Sequence, residues 1–265
     1  MGRSPFGFAT GFLYAGRSAT RWLVTNWHVV TGRRPDDPGF LIGGKPASPS
    51  WLRFKVEDPA GTGWQPMELA LYDADGPLWI EGRRDQGVDL ALVQLKDSPR
   101  FPLPVSQSFA ANSSRTVEPG LDVVLIGHPF ILGMHSPSAV WKAAMVASDV
   151  SPSGAGTPWV LLDAPGVPGM SGSPVYRRVS TVPQDEAGSG KHVTDDRGSA
   201  DYTSGQAEAG NSLRLELLGV YAGAVGEKAL EELRLGRMFP INLVEDLLRL
   251  CQRGHNPFPP SHSDF

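Results

Sequence analysis

Apolar and polar positions alternate along the chain in short runs, and turn residues break them every few positions. Leu52-Arg-Phe-Lys-Val56 and Asp89-Leu-Ala-Leu-Val-Gln-Leu95 follow the period of two expected of half-buried strands. Gly11–Tyr14 and Arg21–Thr25 are rich in strand formers and flank Ala15-Gly-Arg-Ser18, a hairpin signal. Further strands are predicted over Met67–Tyr72, Leu78–Ile80, Asp122–Ile126, Ala139–Ala147, Trp159–Leu162, Ser173–Tyr176 and Leu213–Val220. A helical period occurs at Asn242–Arg253, where Leu243, Leu247, Leu250 and Cys251 share one face. Asn242 and Glu245 have capping-box spacing, Gly254 suits the stop, and Pro257, Pro259 and Pro260 predict the end of ordered structure. Two stretches lack apolar content. Residues 103–118 read as an irregular connection. Residues 178–211 hold mostly Ser, Gly, Thr and charged side chains, too little apolar surface to offset the entropy of ordering, and predict a mobile loop. Many short strands in two halves, closed by one helix, predict an all-β protein built as paired antiparallel barrels or a sandwich.

Composition narrows the possibilities. The chain has 265 residues, room for roughly two units. Its 24 basic and 28 acidic residues give a net charge of −4, which excludes a strongly basic nucleic-acid binder. One cysteine, Cys251, rules out an intrachain disulfide and a cysteine-built metal site. No apolar run approaches the roughly 18 residues of a membrane span. The opening MGRSPFGF lacks a secretory apolar stretch, so a cytoplasmic location is expected.

Three segments carry chemistry. Leu23-Val-Thr-Asn-Trp-His28-Val-Val, Gly87-Val-Asp89-Leu-Ala-Leu-Val and Pro168-Gly-Met-Ser171-Gly-Ser-Pro-Val each set a polar residue beside a strand signal. A serine hydroxyl is a weak nucleophile at neutral pH and needs a base, and the base needs a partner to fix its tautomer. His28, Asp89 and Ser171 supply those groups. The intervals of 61 and 82 residues are no obstacle if the three meet in space. Asp85 is a second acidic candidate, but no alternating strand follows it.

In this His, Asp, Ser order the segments resemble the motifs of chymotrypsin-fold, trypsin-like serine peptidases. The nearest likeness is to bacterial HtrA-type members, and then to glutamyl endopeptidases. Asp122-Val-Val-Leu-Ile-Gly-His-Pro-Phe130 resembles the HtrA-type Gly-Asn-Pro-Phe turn, with His128 in the Asn place, and Phe239-Pro-Ile-Asn-Leu-Val244 resembles the closing strand and helix. The resemblance implies two antiparallel six-stranded β-barrels with a C-terminal α-helix. Residues 1–105 would form a lobe holding His28 and Asp89, and 106–118 a linker. Residues 119–254 would form the nucleophile lobe, with the 178–211 loop and a helix over 242–253, followed by a tail over 255–265.

The resemblance further implies a serine endopeptidase working through an acyl-enzyme, with His28 as base, Asp89 as its orienter and Ser171 as nucleophile. The N–H groups of Gly169 and Ser171 would form the oxyanion hole. Pro165, Tyr221, Ala222 and Gly223 would contact substrate, and no cofactor or metal is implied. Glutamate-specific relatives carry a His where Tyr221 falls, so a small or medium apolar residue is expected before the scissile bond. Met170 stands where many relatives have Asp or Asn, and Ser173 where most have Gly. The zymogen cleavage signal and a PDZ-like region are both missing from the pattern. The missing secretory stretch and PDZ-like region motivate a regulated intracellular peptidase of narrow specificity, acting on a protein or peptide and answering to a regulatory partner, with no nucleic acid or membrane involved. The rival class is a catalytically silent member serving as a protein-binding module.

Overall fold

The computed structural model describes residues 6–16, 20–44, 47–57, 63–82, 86–95, 117–130, 138–149, 157–181, 212–223, 228 and 232–260. Most of the expected linker 106–118, residues 182–211 of the expected loop and residues 261–265 of the expected tail lie outside them.

The N-terminal half is antiparallel throughout. Strands β1 (Phe12–Ala15), β2 (Arg21–Thr25), β7 (Trp79–Glu81) and β8 (Ala91–Leu95) form a sheet in the order β1-β2-β8-β7. Beside it, β3 (Trp51–Glu57) pairs with β4 (Trp64–Ala70), and β5 (Tyr72–Asp73) with β6 (Gly76–Pro77). The C-terminal half closes on itself. Strands β9 (Asp122–Gly127), β10 (Val140–Val146), β11 (Val160–Asp163), β12 (Pro174–Thr181), β13 (Ser212–Gly223) and β14 (Leu235–Pro240) form a six-stranded barrel in the order β10-β11-β14-β13-β12-β9. Helix α1 (Trp27–Thr31) follows β2, and α2 (Ile241–Leu250) follows β14.

Alternation decides which core each strand feeds. On β2, Leu23 joins the first-lobe core with Leu71, Trp79 and Val93, and the inward residues Leu52, Phe54, Met67 and Leu69 of β3 and β4 pack against it. Trp22 and Val24 point the other way, into a core shared by both lobes and by Val244 and Leu247 of α2. Strand β13 feeds two cores as well. Leu215 and Leu217 face the shared core, but the β12–β13 register slips at Val175/Tyr176, opposite Leu218. Beyond this bulge the phase inverts, so Val220 and Ala222 face the shared core and Leu218 and Tyr221 the barrel interior.

Three expectations change. First, β12 runs to Thr181, so Arg178–Thr181 belong to a strand paired with Ser212–Leu215 and the expected loop starts later. Second, the closing helix spans Ile241–Leu250 rather than 242–253. Its N-cap is Pro240, in extended backbone at the end of β14, with no side-chain cap bond, so Asn242 lies inside the helix. Cys251 adopts a left-handed conformation, donates its N–H to the Leu247 carbonyl and is exposed; it caps the helix rather than joining its apolar face.

Third, ordered structure continues past α2 into the region expected to be a free tail. The chain turns back over the first lobe, where Gly254 N–H donates to the Trp79 carbonyl at 2.8 Å. Asn256 Nδ2 donates to Ser48 Oγ and Tyr72 Oη, and the Phe258 ring lies 4.6 Å from the Arg33 guanidinium. The prolines fit here because the segment is held by side chains and single backbone bonds, not by a ladder needing every N–H. Among the described residues no helix is long and apolar enough to cross a membrane.

Candidate active site

Strand β2 ends at Thr25, and the chain turns at once into α1, whose second residue is His28. The helix is short because Gly32 caps it in the left-handed region, with its N–H on the His28 carbonyl. Facing it, Asp89 sits two residues before β8 and is fully buried. Both carboxylate oxygens hold His28. Oδ2 lies 2.7 Å from Nδ1, and Oδ1 accepts the His28 backbone N–H at 3.0 Å. The ring is therefore fixed through its own nitrogen and through its peptide, which leaves Nε2 to face away from the carboxylate. Asn26 Nδ2 donates to the Asp89 carbonyl at 2.8 Å, so the acid's backbone is tied to the same turn.

The third residue comes from the other lobe. Ser171 is half-buried in the turn between β11 and β12. Its carbonyl accepts the Thr10 N–H at 2.8 Å, and the Thr10 carbonyl in turn accepts Thr25 Oγ1 at 2.9 Å. Two hydrogen bonds thus link the Ser171 backbone to the residue three places before His28. The approach is close: a Cβ on Gly172 would fall 1.9 Å from the Thr10 carbonyl oxygen and 2.6 Å from Thr25 Oγ1. Only glycine fits where the two lobes meet.

The peptide planes of this turn are individually anchored. Pro168 O accepts from Phe130 N–H at 2.8 Å and Met170 O from Ser173 N–H at 3.0 Å. In a planar trans peptide the N–H points opposite to its carbonyl, so these bonds fix the directions of the Gly169 and Ser171 N–H groups. Among the described residues neither N–H is donated to another group. Gly169 has φ +94°, and a Cβ there would meet His128 O and Phe130 N at 2.5 Å each, so the turn requires glycine. The arrangement presents a histidine with a fixed tautomer, a serine on a rigid turn, and two amide donors beside it. Chemically, that set can activate a hydroxyl and receive developing negative charge.

Thr10 is a site residue that sequence reasoning missed. It is 5% exposed, and its Oγ1 donates to Gly169 O at 2.8 Å and accepts the His128 N–H at 2.9 Å. With its backbone bonds it joins the nucleophile turn, the 127–130 turn and β2. Its partners lie 118 and 159 residues away, so no local signal marks it. Glu81 was missed too. This buried carboxylate accepts the indole N–H groups of Trp27, beside His28, and of Trp79, both at 2.9 Å.

The residues expected to contact substrate divide. Gly223 approaches Ser171, its built Cβ lying 3.8 Å from Ser171 Oγ. Pro165 is half-buried, and its carbonyl accepts Lys142 Nζ at 2.8 Å. Ala222 is buried in the shared core. Tyr221 is 1% exposed inside the barrel and donates its hydroxyl to Ala164 O at 3.1 Å; burial pushes its phenol up to about 12. Half-buried His128 has its pKa lowered by desolvation. Met170 is buried in the barrel core and Ser173 Oγ faces its sulfur at 4.0 Å, so both departures from the family pattern are accommodated by packing. Among the described residues no group of three or more His, Cys, Asp and Glu side chains gathers to hold a metal ion.

A family model described as a trypsin-like peptidase domain matches residues 9–182. No curated protein sequence matches the chain. Among solved structures, an inactive serine-to-alanine mutant of Rv3671c from M. tuberculosis H37Rv is 18% identical. That match covers 94% of this chain and 83% of the other, with a TM-score of 0.41. The serine endoprotease from Yersinia pestis is 16% identical over 93% of this chain, with a TM-score of 0.41, and the chain spans 65% of that protein's length.

Proposed function

The chain belongs to the trypsin-like peptidase domain family and is a serine peptidase, and from that premise we propose that His28, Asp89 and Ser171 form the catalytic triad of an endopeptidase. The observation that carries the reading is the double grip of Asp89 on His28, through ring and backbone, in the lobe against which the Ser171 turn is docked.

The geometry supports the following roles. Asp89 accepts the Nδ1 proton, so His28 offers Nε2 as the base. Nε2 takes the Ser171 hydroxyl proton as Oγ attacks the scissile carbonyl. The Gly169 and Ser171 N–H groups receive the oxyanion. Collapse expels the amine, which takes the proton from His28, and leaves an acyl group on Ser171 Oγ. Water then attacks the acyl carbon with His28 again as base, which regenerates the hydroxyl.

The two anchored, undonated N–H groups favour this reading over a silent binding module, since a silent turn would have those donors occupied or turned away. Single variants test it. Ser171→Ala and His28→Ala should each lower kcat by at least about 10³-fold, and Asp89→Asn by about 10⁴-fold through the wrong tautomer. Retention of peptidase activity in Ser171→Ala would show that another group is the nucleophile.

A further inference from the structure

We propose that the Tyr221 side chain occupies the pocket beside Ser171 and confines cleavage to bonds that follow a residue with a very small side chain, Gly, Ala or Ser. This rests on the reading of Ser171 as nucleophile. Three surfaces meet on the Tyr221 ring, namely β13 at Gly223, β14 at Gly236 and the segment at Ala164. The tyrosine touches each of them. A Cβ built on Gly223 lies 3.8 Å from Ser171 Oγ and also 3.8 and 3.9 Å from Tyr221 Cε1 and Oη. The phenol edge and the nucleophile therefore both border the open side-chain position over Gly223. A Cβ built on Gly236 would sit 2.4 Å from Cε2, 2.7 Å from Oη and 2.8 Å from Cζ, so the ring lies directly on the β14 backbone. The hydroxyl ends on Ala164 O at 3.1 Å, one residue before Pro165.

The ring is held in place. The Tyr221 N–H donates to Ser173 O, and its carbonyl accepts the Gly172 N–H, both at 2.8 Å, so its backbone is locked to the nucleophile turn. The bulge opposite Leu218 aims the side chain inward, among Met170, Leu162 and Met238. A long substrate side chain entering this space would have to expel a close-packed ring and break a buried hydrogen bond. A plain core tyrosine with the pocket elsewhere would look similar in burial but would not set substrate preference. Kinetics separates the two cases.

The experiment varies the residue before the scissile bond through Gly, Ala, Leu and Phe in an otherwise constant peptide series. A fluorophosphonate probe reports on Ser171 in parallel. The wild type should show kcat/KM for Ala above that for Phe by about 10²-fold or more, the order of discrimination that pocket volume delivers. Tyr221→Ala should raise Phe relative to Ala by about 10-fold or more, and Tyr221→Val should move the ratio the same way. If Tyr221→Ala does not fold, the wild-type profile and Tyr221→Val decide. Equal rates after Ala and Phe in a labelled wild type would overturn the inference alone, as would a folded Ala or Val variant with an unchanged profile. A wild type that neither labels at Ser171 nor cleaves any peptide would overturn the site reading and this inference with it.

Discussion

Thr10→Val removes one hydroxyl and keeps the side-chain volume, and it probes how the oxyanion donors are held. In the wild type Thr10 Oγ1 bridges Gly169 O at 2.8 Å and His128 N at 2.9 Å in a site that is 5% exposed. The variant leaves a carbonyl and an amide buried without that partner, each costing about 1–3 kcal/mol. Part is recovered by relaxation of the turn, so a net loss of about 2 kcal/mol in unfolding free energy is expected. The relaxation itself affects catalysis. Gly169 O belongs to the Gly169–Met170 peptide, which joins the two peptides that carry the proposed donor N–H groups of Gly169 and Ser171, so freeing it loosens the turn between both donors. Misdirecting one such donor costs about 10²–10³-fold in turnover. The expected result is a fall in kcat within that range with KM nearly unchanged, because the donor acts mainly on charge that develops in the transition state. Thr10→Ser restores the hydroxyl and should recover most of the rate. Urea melts and steady-state kinetics on the three proteins measure both effects. A Thr10→Val enzyme with kcat within twofold of wild type would refute the view that this hydroxyl holds the turn.

Gly169→Ala places a Cβ 2.5 Å from two backbone atoms at φ +94°, so loss of activity by more than about 10²-fold is expected even if the protein folds, checked by kinetics beside circular dichroism. Tyr72, Tyr176 and Tyr221 are each pushed up to about 12 by burial, whereas the unfolded chain loses these protons near pH 10. The folded state then binds more protons between about pH 10 and 12, and stability falls as pH rises through that window. Each tyrosine contributes about 2–3 kcal/mol, and Tyr176→Phe should flatten the alkaline slope seen in urea melts. Asn256→Ala removes the donor to Ser48 Oγ and Tyr72 Oη and should lower stability by about 1–2 kcal/mol with little change in kcat, measured by thermal melts and peptide hydrolysis.

Strands whose two faces differ were readable in the sequence. The first lobe shows this at β3, where Leu52 and Phe54 pack against the core while Arg53 and Lys55 are exposed; β8 was readable from its apolar run although it feeds a core on each face, Leu92 on one and Ala91, Val93 and Leu95 on the other. The strand over Leu213–Val220 was also visible, but its end at Gly223 was not. It is buried on both faces and carries a bulge, so neither a polar side nor a steady period marks its limit. The helix at the C-terminus was legible from Leu243 and Leu247, while Cys251 was misplaced because its left-handed cap is unusual for a residue other than glycine. The segment after it read as a free tail because its partners Ser48, Tyr72 and Trp79 are about 180–210 residues away. At the site, the ordered set of His28, Asp89 and Ser171 was legible because each sits beside a strand signal. Thr10 and Glu81 were not, since their importance lies entirely in contacts across the fold. Tyr221 was visible as a residue near the pocket. That its ring fills the space over Gly236 emerges only when β13 and β14 are side by side.

The most direct test of the triad assignment is peptide mapping by mass spectrometry after treatment with a fluorophosphonate. The account predicts a single adduct on the peptide carrying Ser171, absent in Ser171→Ala and strongly slowed in His28→Ala. An adduct on a different serine, or undiminished labelling in His28→Ala, would contradict it.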